Sequence, residues 1–138
     1  MDYISAIEEF GRDANPFFRE MNIAIVSYEK GSATLSMPVT PQLVNGSGWL
    51  TGGMYTALAD EAMALALISS LSPDEGSATI SLSTQFMKGV REGIIFAKGT
   101  LLRKGRQVAF LEAVVTDESG LVLTRCQGSF LIMPRQAQ

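Results

Sequence analysis

The sequence contains no histidine, and that absence excludes more chemistry than any residue present admits. Without imidazole the chain cannot assemble a Ser-His-Asp or Cys-His triad, a histidine metal cluster or a His/carboxylate dehydratase pair. Acid–base work must fall to carboxylates, hydroxyls, amides, the backbone or water. Cysteine is nearly absent as well. Cys126 is the single thiol, so no internal disulfide forms, and its place in the strand-like run LVLTRCQGSFLIM reads as a small buried hydrophobe. The opening residues, MDYISAIEEFGRD, lack a basic start, an uninterrupted apolar run and a small-residue cleavage site, so neither secretion nor organelle import is signalled and a cytoplasmic location is expected.

A membrane-length apolar run is also missing. Leu50 to Leu71 comes nearest, but it is Gly-rich at its start, Ala-rich throughout and carries adjacent Asp60 and Glu61 at its middle, which marks a core helix and not a span. Positive charge is scarce overall, with a net charge of −3. Yet Lys88, Arg91, Lys98, Arg103, Lys104 and Arg106 place six of the eleven basic residues within nineteen positions against one acid, Glu92. One locally basic surface is expected from this run. It suits a compact polyphosphate better than nucleic acid, whose readers carry a basic balance overall and a recognisable module.

What is present points to one domain over residues 1–138. At 46% hydrophobic content it can bury roughly two-thirds of its unfolded surface in a single core. Ile4, Ile7 and Phe10 recur at helical spacing and predict a short N-terminal helix in residues 1–14, ended by Gly11 and the break at Asn15-Pro16. Met21 to Tyr28 and Ser32 to Val39 alternate as a hairpin around Glu29-Lys30-Gly31. Gly53 to Ser70 reads as a long helix with Thr51 at its N-cap, stopped by Ser72-Pro73-Asp74-Glu75-Gly76. Four strands follow: Ser77 to Met87, Gly93 to Leu102, Gln107 to Thr116 and Leu121 to Met133, the last two connections being tight turns at Lys104-Gly105 and Ser119-Gly120. In the first of these strands Ala78, Ile80, Leu82 and Phe86 are expected on an oily face, with Thr79, Ser81, Ser83 and Gln85 opposite. This order folds most economically as an α+β arrangement, an antiparallel sheet wrapped around the second helix.

The most informative stretch is NGSGWLTGGMYTALADEAMALALISS, residues 45–70, where a Gly-rich turn opens into an apolar helix with only two charges. A carboxylate taken out of water without partners costs several kcal/mol, on the order of the stability of a small domain, so Asp60 and Glu61 need a reason. Asp60 follows Gly53 by about two helical turns and shares a face with Gly53, Ala57 and Ala64, whose small side chains leave room for a substrate. Glu61, rotated by about 100°, faces with Met54, Leu58 and Leu65, and is the rival carboxylate, read as paired with a partner chain or exposed at a subunit boundary. The amides of Gly52 and Gly53, at the positive end of the helix, can polarise a carbonyl and hold a developing oxyanion. Asn45-Gly46 is also a common turn pair. Met54, Tyr55, Met63 and Trp49 can line an apolar pocket or serve as plain core.

A curved antiparallel sheet gripping a buried helix is the hotdog fold, and these residues resemble the acyl-CoA thioesterases of that fold, in particular the phenylacetate-degradation type. The family signature runs Asn, a Gly-containing turn, His-Gly-Gly, several small or apolar residues, then Leu-Ala-Asp or Glu. Here it stands as Asn45-Gly46-Ser47-Gly48-Trp49-Leu50-Thr51-Gly52-Gly53, Met54 to Ala57, then Leu58-Ala59-Asp60. The likeness continues through Gln85 to Lys88, Gly93 and Lys104-Gly105-Arg106, and covers residues 15–133. It implies that Asp60 is general base or nucleophile toward a thioester carbonyl, that Asn45 orients that carbonyl or the attacking water, and that Thr79 stands near the site. It further implies an acyl-CoA substrate and no metal or prosthetic cofactor; the basic run then offers Lys88, Arg91, Arg103 and Arg106 to the CoA phosphates, with Thr51 and Met54 against the substrate. Sites would lie between subunits of a homodimer or homotetramer, with neither nucleic acid nor membrane as partner. One departure stands out: Thr51 occupies the place of the usual His. That motivates an alternative, a non-catalytic acyl-CoA-binding or scaffolding hotdog protein.

Overall fold

The computed structural model describes residues 1–135; the last three positions of the expected domain lie outside the described residues. Helix α1 spans Tyr3–Phe10 and starts at Asp2, whose carboxylate accepts from the Ser5 amide at 2.9 Å and the Ser5 hydroxyl at 3.1 Å. Its apolar stripe is narrower than its spacing predicts, because Ile7 is buried while Phe10 is exposed. A 3₁₀ turn, Gly11–Ala14, follows. Asn15-Pro16 is then not a break but the start of a second helix, α2, Pro16–Glu20. Asn15 Oδ1 accepts from the amides of Phe17 and Phe18, and Pro16 sits where a missing N–H costs nothing.

Strands β1 (Ala24–Glu29) and β2 (Ser32–Pro38) form the expected hairpin, with Gly31 at φ 83° in its turn. Helix α3, Gly52–Ile68, is apolar on most of its circumference, Asp60 and Glu61 excepted, and accordingly buried on several sides; Leu58, Leu65 and Leu67 are almost wholly enclosed, each contributing roughly 1.5–3 kcal/mol. It ends at Ser69, whose hydroxyl donates to Ala66 O and Glu29 O and accepts from the Gly31 amide, tying the helix end to the first hairpin. Strands β3 (Glu75–Phe86), β4 (Ile94–Lys104), β5 (Val108–Thr116) and β6 (Val122–Pro134) complete one antiparallel sheet of order β1-β2-β4-β5-β6-β3. The sheet curls around α3 in the hotdog arrangement. Its inner face is lined with small residues, Ala33, Ala97, Gly99, Ala109 and Ala113, which let the helix approach closely. At Gly99 the approach is backbone to backbone: a Cβ there would stand 2.6 Å from the carbonyl of Ala62.

The strict alternation expected in β3 does not hold. Its pairing with β6 slips between Thr79 and Ser81, so Ile80 is a bulge residue and is exposed. The extra residue shifts the phase of the strand by one. Thr79, expected opposite Leu82, therefore shares the helix-facing side with Leu82, Thr84 and Phe86: Thr84 meets the hydroxyl of Thr56 at 3.2 Å, and the Phe86 ring meets Tyr55 edge-on at 6.1 Å.

Candidate functional site

Strand β3 is a sheet edge, and α3 lies beside it, so the two frame an open face. On that face the Thr79 hydroxyl donates to Asp60 Oδ1 at 2.8 Å. Burial pushes the Asp60 carboxyl above the usual carboxylate range, and the Thr79 hydrogen bond pulls it part of the way back. Among the described residues Thr79 is its one side-chain hydrogen-bond partner. A half-buried carboxylate of raised basicity, with no cation beside it among the described residues, is suited to taking a proton.

Glu61 has neighbours within its own chain. It lies under the N-terminal segment beside Tyr3 and Asn15 of its own chain, where Asn15 Nδ2 also donates to the Tyr3 hydroxyl at 2.8 Å. Burial first, then the neighbouring charge of Asp60, raises the Glu61 carboxyl, while the Asn15 amide lowers it. The sequence reading missed Asn15 here, because only the fold of the second short helix brings it to α3.

The other end of α3 carries the free amides. Thr51 holds the N-cap position, but its side chain accepts no hydrogen bond, correcting the expected cap. Among the described residues neither Gly52 N–H nor Gly53 N–H finds an acceptor, the first contact of the helix being Met54 N–H to Thr51 O at 3.0 Å. Gly53 is exposed, with nothing within 4 Å of where a Cβ would stand. Beside these amides an open groove of about 270 Å³ is lined by Gly52, Tyr55, Phe86, Met87 and Lys88. Met54 is partly buried against the core, Met63 is wholly core, and Tyr55 is fixed by accepting the Val90 amide at 3.0 Å. Asn45 Oδ1 is spent on its own turn, accepting from the Ser47 and Trp49 amides at 2.9 and 3.1 Å, so only its NH₂ group is free to face a substrate.

The basic run does not make one surface. Lys88 and Arg91 lie near the α3 amides, where the Arg91 guanidinium stacks on the exposed Trp49 ring 3.9 Å from its centroid. Arg103, Lys104 and Arg106 sit at the β4–β5 turn. An eleven-residue strand separates the two groups, a span of roughly 30 Å. The sequence placed these charges close along the chain, but an extended strand carries them to opposite ends.

Distance along α3 settles a further point. Asp60 stands seven residues from Gly53, about 10 Å along the helix axis, so one chain's carboxylate cannot reach a carbonyl held at its own Gly52 and Gly53 amides.

The thioesterase superfamily model matches residues 47–124, from within the Gly-rich turn through all of α3, β3, β4 and β5 to the first residues of β6. The chain belongs to the thioesterase superfamily. Among curated relatives of this superfamily member, a 1,4-dihydroxy-2-naphthoyl-CoA hydrolase of Listeria monocytogenes is 29% identical over 77% of this chain and 88% of its own. A protein of Saccharolobus solfataricus, provisionally named an esterase, is 27% identical over 99% of this chain and 97% of its own. Of solved structures, a Haemophilus influenzae thioesterase superposes with a TM-score of 0.82 at 20% identity, covering 87% of this chain and 84% of that one. A Streptococcus mutans protein bound to acetyl CoA superposes with a TM-score of 0.77 at 20% identity, covering 84% and 92%. These two structures share the hotdog fold of this thioesterase-superfamily chain. Among the described residues no helix is long and apolar enough to cross a membrane.

Proposed function

We propose that this protein is an acyl-CoA thioesterase, releasing a carboxylic acid and CoA, and that within the superfamily it stands with the phenylacetate-degradation type. The observation that carries the reading is the Asp60–Thr79 pair, a half-buried carboxylate of raised basicity on the same helix whose N-terminal amides are free. The CoA hydrolase among the relatives and the acetyl CoA in a structural neighbour support the carrier. Asp60 takes a proton from water as the water oxygen attacks the thioester carbonyl, the Gly52 and Gly53 amides of a second chain hold the oxyanion, and collapse expels the CoA thiolate, which takes up the proton. If Asp60 attacks directly, the same collapse leaves an acyl–Asp60 anhydride that water hydrolyses to the acid, restoring the carboxylate. The separation along α3 supports this two-chain arrangement, in which a homodimer is the smallest active unit and a tetramer can be built from it. The Asn45 amide group, Thr51 and Met54 flank the substrate entrance. Release of free thiol from a panel of acyl-CoA thioesters tests the reading; tight binding without thiol release would instead favour the non-catalytic acyl-CoA binder that Thr51, in place of His, brings to mind.

Lys88 and Arg91 are the CoA-phosphate residues nearest the free amides, and Arg103 and Arg106 can serve only from the far end of β4. Arg91→Ala should raise KM for a CoA thioester with kcat nearly unchanged, since contacts remote from the carbonyl act equally in ground and transition states. Hydrolysis of a short thioester lacking the nucleotide should not respond. A KM insensitive to both the substitution and added salt would return Arg91 to its Trp49 stack alone.

Thr79→Val should move the acid limb of the kcat/KM profile to higher pH. The hydroxyl favours the ionised carboxylate, so its loss leaves burial unopposed and raises the Asp60 pKa further. A profile that keeps its acid limb in place would separate Thr79 from the chemistry.

A further inference from the structure

A cavity of about 570 Å³ lies away from the free amides, roofed by α1 and floored by the end of α3 and the start of β3. That is within the range of roughly 300–1,000 Å³ typical of small-molecule sites. Two continuous walls lead to it from the Asp60–Thr79 pair. Along β3, Ser77 lines the cavity two residues before Thr79, a distance of about 7 Å. Along α3, Ile68 lines it eight residues after Asp60, about 12 Å. Tyr3, held by Asn15 beside Glu61, is also part of the lining.

Much of the polar lining is already engaged within the chain. Ser69 has three partners in the chain, and Ser72 donates through both its amide and its hydroxyl to Glu75. Asp2 caps α1, Arg135 donates to Met1 O at 2.9 Å, and the Tyr3 hydroxyl accepts from Asn15. Ile4, Ala6, Ala14, Ile68 and Leu71 give the cavity an apolar patch suited to an acyl group, beside the Ser77 hydroxyl and the charged Asp2, Glu75 and Arg135. The roof buries a single side chain of α1, Ile7, so its position depends on few core contacts.

We propose that this cavity receives the part of the acyl group remote from the thioester, and that α1 is the wall that sets how large an aliphatic or aromatic acyl group the enzyme accepts. The inference rests on the thioesterase reading above and adds the acyl-selecting element to it. The test compares kcat/KM for acetyl-CoA, octanoyl-CoA and phenylacetyl-CoA in wild type, Ala6→Phe, which fills the cavity from its roof, and Ile68→Ala, which enlarges it. Ala6→Phe should lower the octanoyl-to-acetyl ratio by about tenfold or more, and Ile68→Ala should raise it, on the scale by which a pocket distinguishes a methylene or two. Should Ala6→Phe fail to fold by circular dichroism, Ile68→Ala alone decides, since unfolding cannot raise the ratio. Wild-type ratios in both variants overturn the proposal. If wild type releases no thiol from any of the three, the thioesterase reading fails separately. Calorimetric titration with octanoyl-CoA then decides the cavity: weaker binding to Ala6→Phe than to wild type sustains it, and equal or absent binding overturns it.

Discussion

Asp60→Asn should lower turnover of the preferred acyl-CoA by at least about a hundredfold, the scale expected when a positioned general base or nucleophile is removed. The fold should not suffer. Because burial raises the native Asp60 pKa above its unfolded value, the ionised form favours the unfolded chain, and the neutral amide removes that penalty while still accepting from Thr79. The sign follows: relative to the variant, wild type is at its best below about pH 4 and loses ground as pH rises through the raised native pKa. Thermal unfolding at pH 7 should show the variant as stable as wild type or more so. Glu61→Gln, beside Tyr3 and Asn15, should cost far less activity; the reverse ranking would reassign the chemistry. A companion variant probes the second half of the site. Gly52→Pro deletes one amide donor at the first helical position, where proline is tolerated, and Thr51 at φ −58° and ψ 131° already has the backbone that a following proline favours. It should cost about a hundredfold in kcat as an oxyanion donor is lost. If sites are shared between chains, mixing the two inactive variants should restore activity through hybrid dimers, each with one intact site. No recovery on mixing, together with sedimentation of a fully active wild-type monomer, would defeat the two-chain model.

The largest effect on stability is expected at Gly99→Ala. Its φ is ordinary, so the cost is not conformational; the methyl would lie 2.6 Å from the carbonyl carbon and oxygen of Ala62 and 2.7 Å from the amide nitrogen of Met63. Those are backbone atoms, and no rotamer change can clear them. Either α3 moves off the sheet, loosening the contacts of Leu58, Leu65 and Leu67, or β4 bows outward. Overpacking against flexible side chains costs about 1–3 kcal/mol, and a rigid neighbour places this substitution at or above the top of that range. Urea unfolding should show the midpoint falling steeply. By comparison Gly53→Ala meets open space and should leave the midpoint near wild type. A mild effect at Gly99 would mean that helix and sheet are less rigidly joined than the backbone contact implies.

The architecture was legible because its signals are local: alternation, turn residues and an apolar helix too greasy to be exposed. The carboxylate and the two glycines were legible for the same reason, lying within one helix where spacing translates directly into geometry. Thr79 was reached only by resemblance, since its alternation put it on the wrong face. The bulge at Ile80 that turns it toward Asp60 adds one residue with no distinctive composition. Asn15 was invisible as a neighbour of Glu61, because a turn pair says nothing of what it will pack against in three dimensions. The basic run misled for the opposite reason, as closeness in sequence was taken for closeness in space along a strand that separates its ends.

The two bulged edges have a bearing on how this sheet can grow. β1 slips register between Ile25 and Ser27, and β3 between Thr79 and Ser81, and these are the outermost strands on either side. Open edges are templates for unlimited strand addition, and an irregularity on each breaks the repeating ladder that fibre growth needs. A chain whose sheet ends at β1 and at the Asp60–Thr79 edge is thereby guarded at both ends against self-propagating aggregation.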